Sequence, residues 1–113
     1  MWIYLNNAFV SIVAHRGHPD QVIVRGRAEG DVARFLDAGG IEAEIRCTPS
    51  ADYCERTVIS RTDLGRALAC VAQTIAYDNF KSSVQDPGRG RVYFSVYVST
   101  ARLACGSARQ RPV

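Results

Sequence analysis

The stretch that decides the fold is residues 48–84, TPSADYCERTVISRTDLGRALACVAQTIAYDNFKSSV. Turn-forming residues open it, a β-prone run follows, and apolar residues then recur at helical spacing, which predicts turn, strand and helix in that order. Ser60 and Asp63 stand three residues apart, the pattern of a capping box at a helix start. The spacing therefore predicts a helix over residues 61–76 that turns these side chains to the core: Leu64, Leu68, Val71 and Ile75.

The residues before this stretch predict most of a sheet. Asn6 and Asn7 tolerate the backbone of a tight turn, so residues 2–5 and 8–15 are expected to pair as a hairpin. Residues 22–28 are β-prone and predict a third strand.

A short helix and a second hairpin are expected next. Asp31 begins a helix over residues 31–36, and Gly39-Gly40 ends it. Residues 41–47 alternate between apolar and charged side chains, which predicts a half-buried strand. Residues 53–59 are expected to form the second strand of this hairpin.

The C-terminal third is less determined. Residues 77–84 predict one or two further helical turns, whereas residues 91–99 fit both strand alternation and a helical stripe, and periodicity does not choose between them. Residues 105–113 are polar and basic and predict a flexible tail. The remaining 1–104 are expected to form a single α+β domain, in which the main helix packs on one face of a small antiparallel sheet of about five strands.

Several short motifs resemble those of a family of small bacterial proteins of unknown function. They extend over roughly residues 1–98 and read MWIxxNxAFxSIVA from Met1, VRxR from Val24, GD from Gly30, TPxxDY from Thr48, Arg56, and YDNFKxSV from Tyr77. The resemblance implies the fold but no activity. It also implies that the last element, residues 91–103, is a helix.

Charge is distributed unevenly along the chain. The formal net charge is +3. Residues 1–86 hold nine Arg or Lys against eleven Asp or Glu, whereas residues 87–113 hold five Arg and no acid. Arginines beside aromatic residues can bind single-stranded nucleic acid, but the acidic balance of residues 1–86 argues against such binding there.

Metal or catalytic chemistry is weakly indicated. His15 and His18 are the only histidine pair, and no second ligand pair for zinc lies near them in sequence. Cys54 and Cys70 lack the context of a catalytic thiol, and the alternating Glu42 and Glu44 fit a solvated face. No cofactor is expected, and an enzyme is the less favoured interpretation.

The candidate binding residues are polar and aromatic side chains near the ends of predicted elements. These side chains either stabilise the fold or contact a partner. The nine residues are Arg25, Arg27, Asp52, Tyr53, Arg56, Tyr77, Asp78, Asn79 and Lys81. In the bracing interpretation, Tyr77 and Phe80 share one helical face and close over the core.

The sequence thus predicts a non-catalytic bacterial protein that acts through protein–protein contact, with a homodimer as one form. A nucleic-acid-binding accessory protein that uses the Arg-rich C-terminal segment is the first alternative, and an inhibitor encoded by a phage or mobile element, such as an anti-CRISPR protein, is the second. No apolar run reaches the length needed to cross a membrane, and the cysteine spacing fits reduced thiols, so a cytoplasmic location is expected.

Overall fold

The computed structural model describes residues 1–103, and the chain forms two compact units. The first unit, residues 1–78, contains a five-stranded antiparallel sheet in the order β1-β2-β3-β5-β4. Its strands are β1 Trp2–Leu5, β2 Ala8–Ala14, β3 Gln21–Gly26, β4 Arg46–Cys47 and β5 Glu55–Ser60. The predicted α+β class and the five-stranded sheet are confirmed.

Two helices, α1 Asp31–Gly39 and α2 Arg61–Ala72, pack against one face of this sheet. Strand alternation sends every second side chain to this face, where paired positions such as Val22 and Ile59 meet. The buried core there consists of Val10, Ile12, Val22, Val24, Val32, Phe35, Leu36, Ile59, Ala67 and Val71. The main helix lies on one face, as predicted, and α1 shares that face with it.

The N-terminus of α1 is capped from outside the helix. Gly30 takes a left-handed conformation with φ 89° and provides no side-chain cap. Glu55 accepts hydrogen bonds from the amides of Gly30 (2.9 Å) and Val32 (3.4 Å) instead. The buried Asp31 carboxylate accepts from the Phe9 amide at 2.9 Å and pairs with Arg34 at 2.7 Å. The Glu55 carboxylate therefore satisfies free amides at the positive end of the helix dipole, and the Asp31 carboxylate adds a second negative charge there.

Helix α2 begins as predicted and ends earlier. The Ser60 hydroxyl accepts from the Asp63 amide at 3.0 Å, so the predicted N-cap is confirmed. The expected end at residue 76 is wrong, because the helix stops at Ala72. The Thr74 hydroxyl donates to the Val71 carbonyl at 2.7 Å, and the Thr74 amide also bonds Val71, which closes the last turn. Ile75 is consequently 59% exposed and does not join the core.

The two helices approach closely at Gly39 and Ala67. A β-carbon built on Gly39 would lie 2.6 Å from the Ala67 β-carbon, a distance that no real pair of side chains adopts.

Helix α1 runs three residues beyond the predicted end at residue 36, to Gly39. Gly40 at φ 68° then ends it, as predicted.

The predicted strand over residues 41–47 is wrong for most of its length, because only Arg46–Cys47 pairs with β5. Ile41 and Ala43 do turn inward and pack against the core, whereas Ile45 and Cys47, predicted for the same face, are exposed. The Thr57 hydroxyl binds the Glu44 carbonyl at 2.7 Å. A side-chain bond thus holds this segment where a backbone ladder was expected. The third strand is also shorter than expected, ending at Gly26, and β5 spans Glu55–Ser60.

The second unit begins at Asn79 and contains two helices, α3 Phe80–Ser83 and α4 Pro87–Thr100. Asn79 caps α3 through the Ser82 amide (3.2 Å), and Asp86 caps α4 through the Arg89 amide (2.8 Å). Residues 91–99, open between strand and helix from periodicity alone, are helical. The Asp86 cap and Pro87 in the first turn favour that outcome.

Two sequence interpretations in this part of the chain have clear outcomes. Tyr77 precedes α3 and lies outside any helix, so the expectation that it shares a helical face with Phe80 is wrong. Phe80 instead stacks on Tyr93 at 5.8 Å.

Over residues 1–103, no helix is both long and apolar enough to cross a membrane. The expected tail, residues 105–113, lies outside the described residues.

Candidate functional site

The sheet has a second face, formed by the side chains that point away from α1 and α2. Strand pairing assigns to it Trp2, Tyr4, Phe9, Ser11, Val13, Ile23, Arg25, Arg46, Arg56 and Val58. Trp2 is 65% exposed and Val58 is 45% exposed, so solvent reaches this face at both sides of the sheet. We name it the second face.

One line of paired positions crosses all five strands on this face. Trp2 pairs with Ser11, and Ser11 pairs with Arg25. Arg25 pairs with Arg56, and Arg56 pairs with Arg46. Adjacent strands lie about 4.8 Å apart, so three guanidinium groups emerge side by side from β3, β5 and β4. We call Arg25, Arg56 and Arg46 the arginine row.

The arginine row is poorly compensated. Like charges at directly opposed positions destabilise a sheet. Among the described residues, Arg46 alone in the row has a carboxylate within ion-pair distance, Glu44 at 3.8 Å, and both of these side chains are more than 80% exposed. The Nε atoms of Arg25 and Arg56 are buried without any hydrogen-bond partner in residues 1–103. A buried donor without an acceptor costs about 1–3 kcal/mol. An anionic ligand beside the row would offset the repulsion between its like charges.

Tyr53 makes cation–π contacts with two arginines at the Arg25 end of the row. The guanidinium carbons of Arg25 and Arg27 each lie 4.4 Å from the centre of the Tyr53 ring. Such cation–π contacts hold arginine stems while leaving N–H donors free. Arg25 also donates to the Ser11 hydroxyl at 2.8 Å. These contacts fix the guanidinium groups in place before any ligand arrives.

Aromatic side chains occupy the β1–β2 side of the second face. Phe9 stacks on Tyr4 with ring centres 4.6 Å apart, and Trp2 meets Phe9 edge-on at 6.0 Å. Burial, and to a smaller extent the neighbouring Tyr53 hydroxyl, raises the pKa of Tyr4. Its phenol therefore stays neutral at pH 7, and the face carries positive charge and aromatic surface together.

The carboxylates of the first unit lie largely elsewhere. Asp31 and Glu55 are bound at the N-terminus of α1, on the helix side of the sheet. Asp37 and Asp63 belong to the helices themselves. These four carboxylates therefore lie away from the second face, whereas Glu44 lies beside Arg46. The acidic total of residues 1–86 does not by itself exclude nucleic-acid binding at the second face.

The nine sequence-predicted residues separate into three groups. Arg25, Arg27, Tyr53 and Arg56 come together on or beside the second face. Asp52 accepts from the Tyr53 amide at 2.9 Å and shapes the turn before β5.

The other four lie later in the chain. Tyr77 is half-buried and Asp78 exposed at the end of the first unit. In the second unit, Asn79 is the α3 cap, and the Lys81 ammonium lies 3.8 Å from the Tyr97 ring centre.

Sequence reasoning missed eight of the ten residues of the second face: Trp2, Tyr4, Phe9, Ser11, Val13, Ile23, Arg46 and Val58. The first four carried a readable signal, since strand alternation in the predicted hairpin already sends them to one face. Arg46 was interpreted as part of a solvated strand. Its pairing with Arg56 depends on the neighbourhood of β4 and β5.

The described residues hold no group of three or more side chains suited to a metal ion. The His15 and His18 rings lie 5.0 Å apart at the turn after β2. Cys54 donates to the Arg27 carbonyl at 3.5 Å, which gives this thiol a structural contact.

No family model, no curated protein and no solved structure matches this chain.

Proposed function

We propose that the protein is a non-catalytic binding protein whose second face binds single-stranded nucleic acid. The observation that carries the proposal is the arginine row, three paired guanidinium groups with two unsatisfied buried Nε donors. Phosphates supply the negative charge that this row lacks. Trp2 and the Tyr4–Phe9 stack offer ring surface at the other side of the sheet, where unpaired bases can stack.

The test is a titration in which fluorescence anisotropy measures the binding of a labelled 12-nucleotide single strand. The titration is repeated over a range of salt concentrations. Each neutralised phosphate contributes a slope of about −0.7 in the logarithmic plot of affinity against salt. We expect Arg56→Met to reduce affinity about tenfold and to make the slope less steep. The matched control is Arg16→Met, which removes the same charge from an exposed turn.

A second pair of variants tests the stacking contribution. Trp2→Ala removes an exposed ring from the second face, and stacking of one base contributes about 1–3 kcal/mol. Phe94→Ala removes an exposed ring from α4 and serves as the control. Absence of binding, or binding that neither salt nor these variants alter, would refute the proposal.

Protein–protein contact remains the second candidate, and the surface of α4 supports it. This helix leaves four large apolar or aromatic side chains more than half exposed: Val92, Phe94, Tyr97 and Val98. Such residues are typical of protein interfaces. Sedimentation velocity of the wild type and of Phe94→Ser tests the homodimer. A wild-type protein that stays monomeric at high concentration would exclude it.

Three further sequence expectations stay predictions: membership of the small bacterial family, a cytoplasmic location, and a phage or mobile-element inhibitor. The position of the gene tests the last of these, since neighbouring phage genes would support an inhibitor and a housekeeping operon would oppose it.

A further inference from the structure

A recess of about 300 Å³ lies at the β4 side of the second face. Its apolar surface comes from Ile23 and Val58, at paired positions of β3 and β5. Arg46 and Arg56, two members of the arginine row, line it together with Glu44 and Thr57. This volume is at the small end of ligand sites, which suits one planar ring rather than a larger molecule.

The polar groups of the recess combine donors and an acceptor at short range. Arg46 Nε lies 3.8 Å from a carboxylate oxygen of Glu44, and Arg56 carries a buried Nε without an acceptor. Thr57 is committed, since its hydroxyl already donates to the Glu44 carbonyl. The recess therefore presents one carboxylate acceptor beside two guanidinium groups.

Guanine matches this combination better than the other bases do. Its N1–H and N2–H₂ groups are adjacent donors that a carboxylate accepts as a pair, and its O6 and N7 atoms are the acceptors that arginine prefers. Adenine and cytosine place an acceptor nitrogen beside their amino group, which a carboxylate repels. Thymine and uracil place a carbonyl on each side of their single N–H, with the same result.

We propose that this recess is a guanine-binding subsite, in which Glu44 accepts from the Watson–Crick edge and Arg46 or Arg56 donates to O6 and N7. The proposal rests on the function proposed above and adds a base preference to it. The base would lie against Ile23 and Val58, while the remaining guanidinium donors of the row contact phosphate.

The experiment compares 12-nucleotide thymidine strands that carry one central guanine, adenine, cytosine or inosine. Inosine lacks the N2 amino group of guanine and so loses one of the two donors. We expect the guanine strand to bind about 5- to 100-fold more tightly than the all-thymidine strand. The inosine strand should lie between them.

Glu44→Gln keeps one acceptor oxygen but cannot accept from N1–H and N2–H₂ as a pair, so the difference between guanine and inosine should shrink. Because it also removes the negative charge beside Arg46, the all-thymidine strand should bind somewhat more tightly to this variant than to the wild type. Its matched control is Glu42→Gln, which removes the same charge from an exposed position two residues earlier that does not line the recess. This control separates loss of base recognition from the general effect of one fewer negative charge.

The outcomes distinguish the subsite from the function on which it rests. Equal binding of all strands by the wild type overturns the guanine subsite and leaves single-strand binding intact. A difference between guanine and inosine that is as large in Glu44→Gln as in the wild type also overturns it. Absence of binding to every strand overturns both proposals.

Discussion

Arg56 destabilises the free protein and is at the same time a proposed binding residue of the second face. It stands between Arg25 and Arg46 at paired positions, and its Nε is buried without an acceptor. Both features oppose stability in the free protein. Residues at which function and stability conflict are typical of binding sites.

Replacing this residue should therefore stabilise the free protein. Arg56→Met keeps the apolar stem and removes the charge and the buried donor, so we expect the free energy of unfolding to rise by about 0.2–1 kcal/mol. Urea denaturation at low salt measures it, with Arg16→Met as the control that should stay within about 0.5 kcal/mol of wild type. A destabilised Arg56→Met would show that the row is not strained. The same variant is expected to bind nucleic acid more weakly.

At the scale of elements, the packing of α1 on α2 depends on one glycine. Gly39 lies against Ala67, which is fully buried, and no room is left for a β-carbon. Gly65 in α2 has nothing within 4 Å of the same position and a normal helical backbone. The two glycines therefore have opposite roles although both are helical.

The pair gives a matched test. Gly39→Ala should lower the free energy of unfolding by about 1–3 kcal/mol, because the helices must move apart. Gly65→Ala should raise it by about 0.5–1 kcal/mol, because glycine weakens a helix interior. Urea unfolding curves measure both. If the two variants changed stability in the same direction, the close approach of the helices would be wrong.

At the scale of the whole chain, net charge does not reveal where binding occurs. Residues 1–86 are acidic in sum, yet the arginine row lies among them, and the basic excess lies in residues 87–113. Asp31 and Glu55 account for part of this separation, because both are bound at the start of α1. The second face and the basic C-terminal segment are thus two distinct candidates for contact with phosphate.

Removal of residues 105–113 separates these candidates. The segment contains Arg109 and Arg111, so its loss should weaken single-strand binding through two charges at most. We expect a smaller loss of affinity than Arg56→Met causes, measured by the same anisotropy titration. Loss of all binding on truncation would assign the activity to the C-terminal segment instead.

The amino-acid sequence by itself determined the local elements. The alternation of residues 8–15, the Ser60 cap and Gly40 each act through neighbours in the chain, so the hairpin, the start of α2 and the end of α1 were all predictable. One error fell where a non-local contact competes with a local pattern, at Glu44, whose carbonyl binds Thr57 in place of a strand ladder. The early end of α2 is local instead, since Thr74 binds the Val71 carbonyl.

The tertiary structure alone decided the site. Arg25, Arg46 and Arg56 are up to 31 positions apart, and only the strand order β3-β5-β4 brings them into one row. The packing of α1 on the sheet brings Asp31 and Glu55 together at the start of that helix. Local propensity depends on neighbours along the chain, whereas charge clustering depends on which strands pair, and the pairing is selected by burial of the whole core.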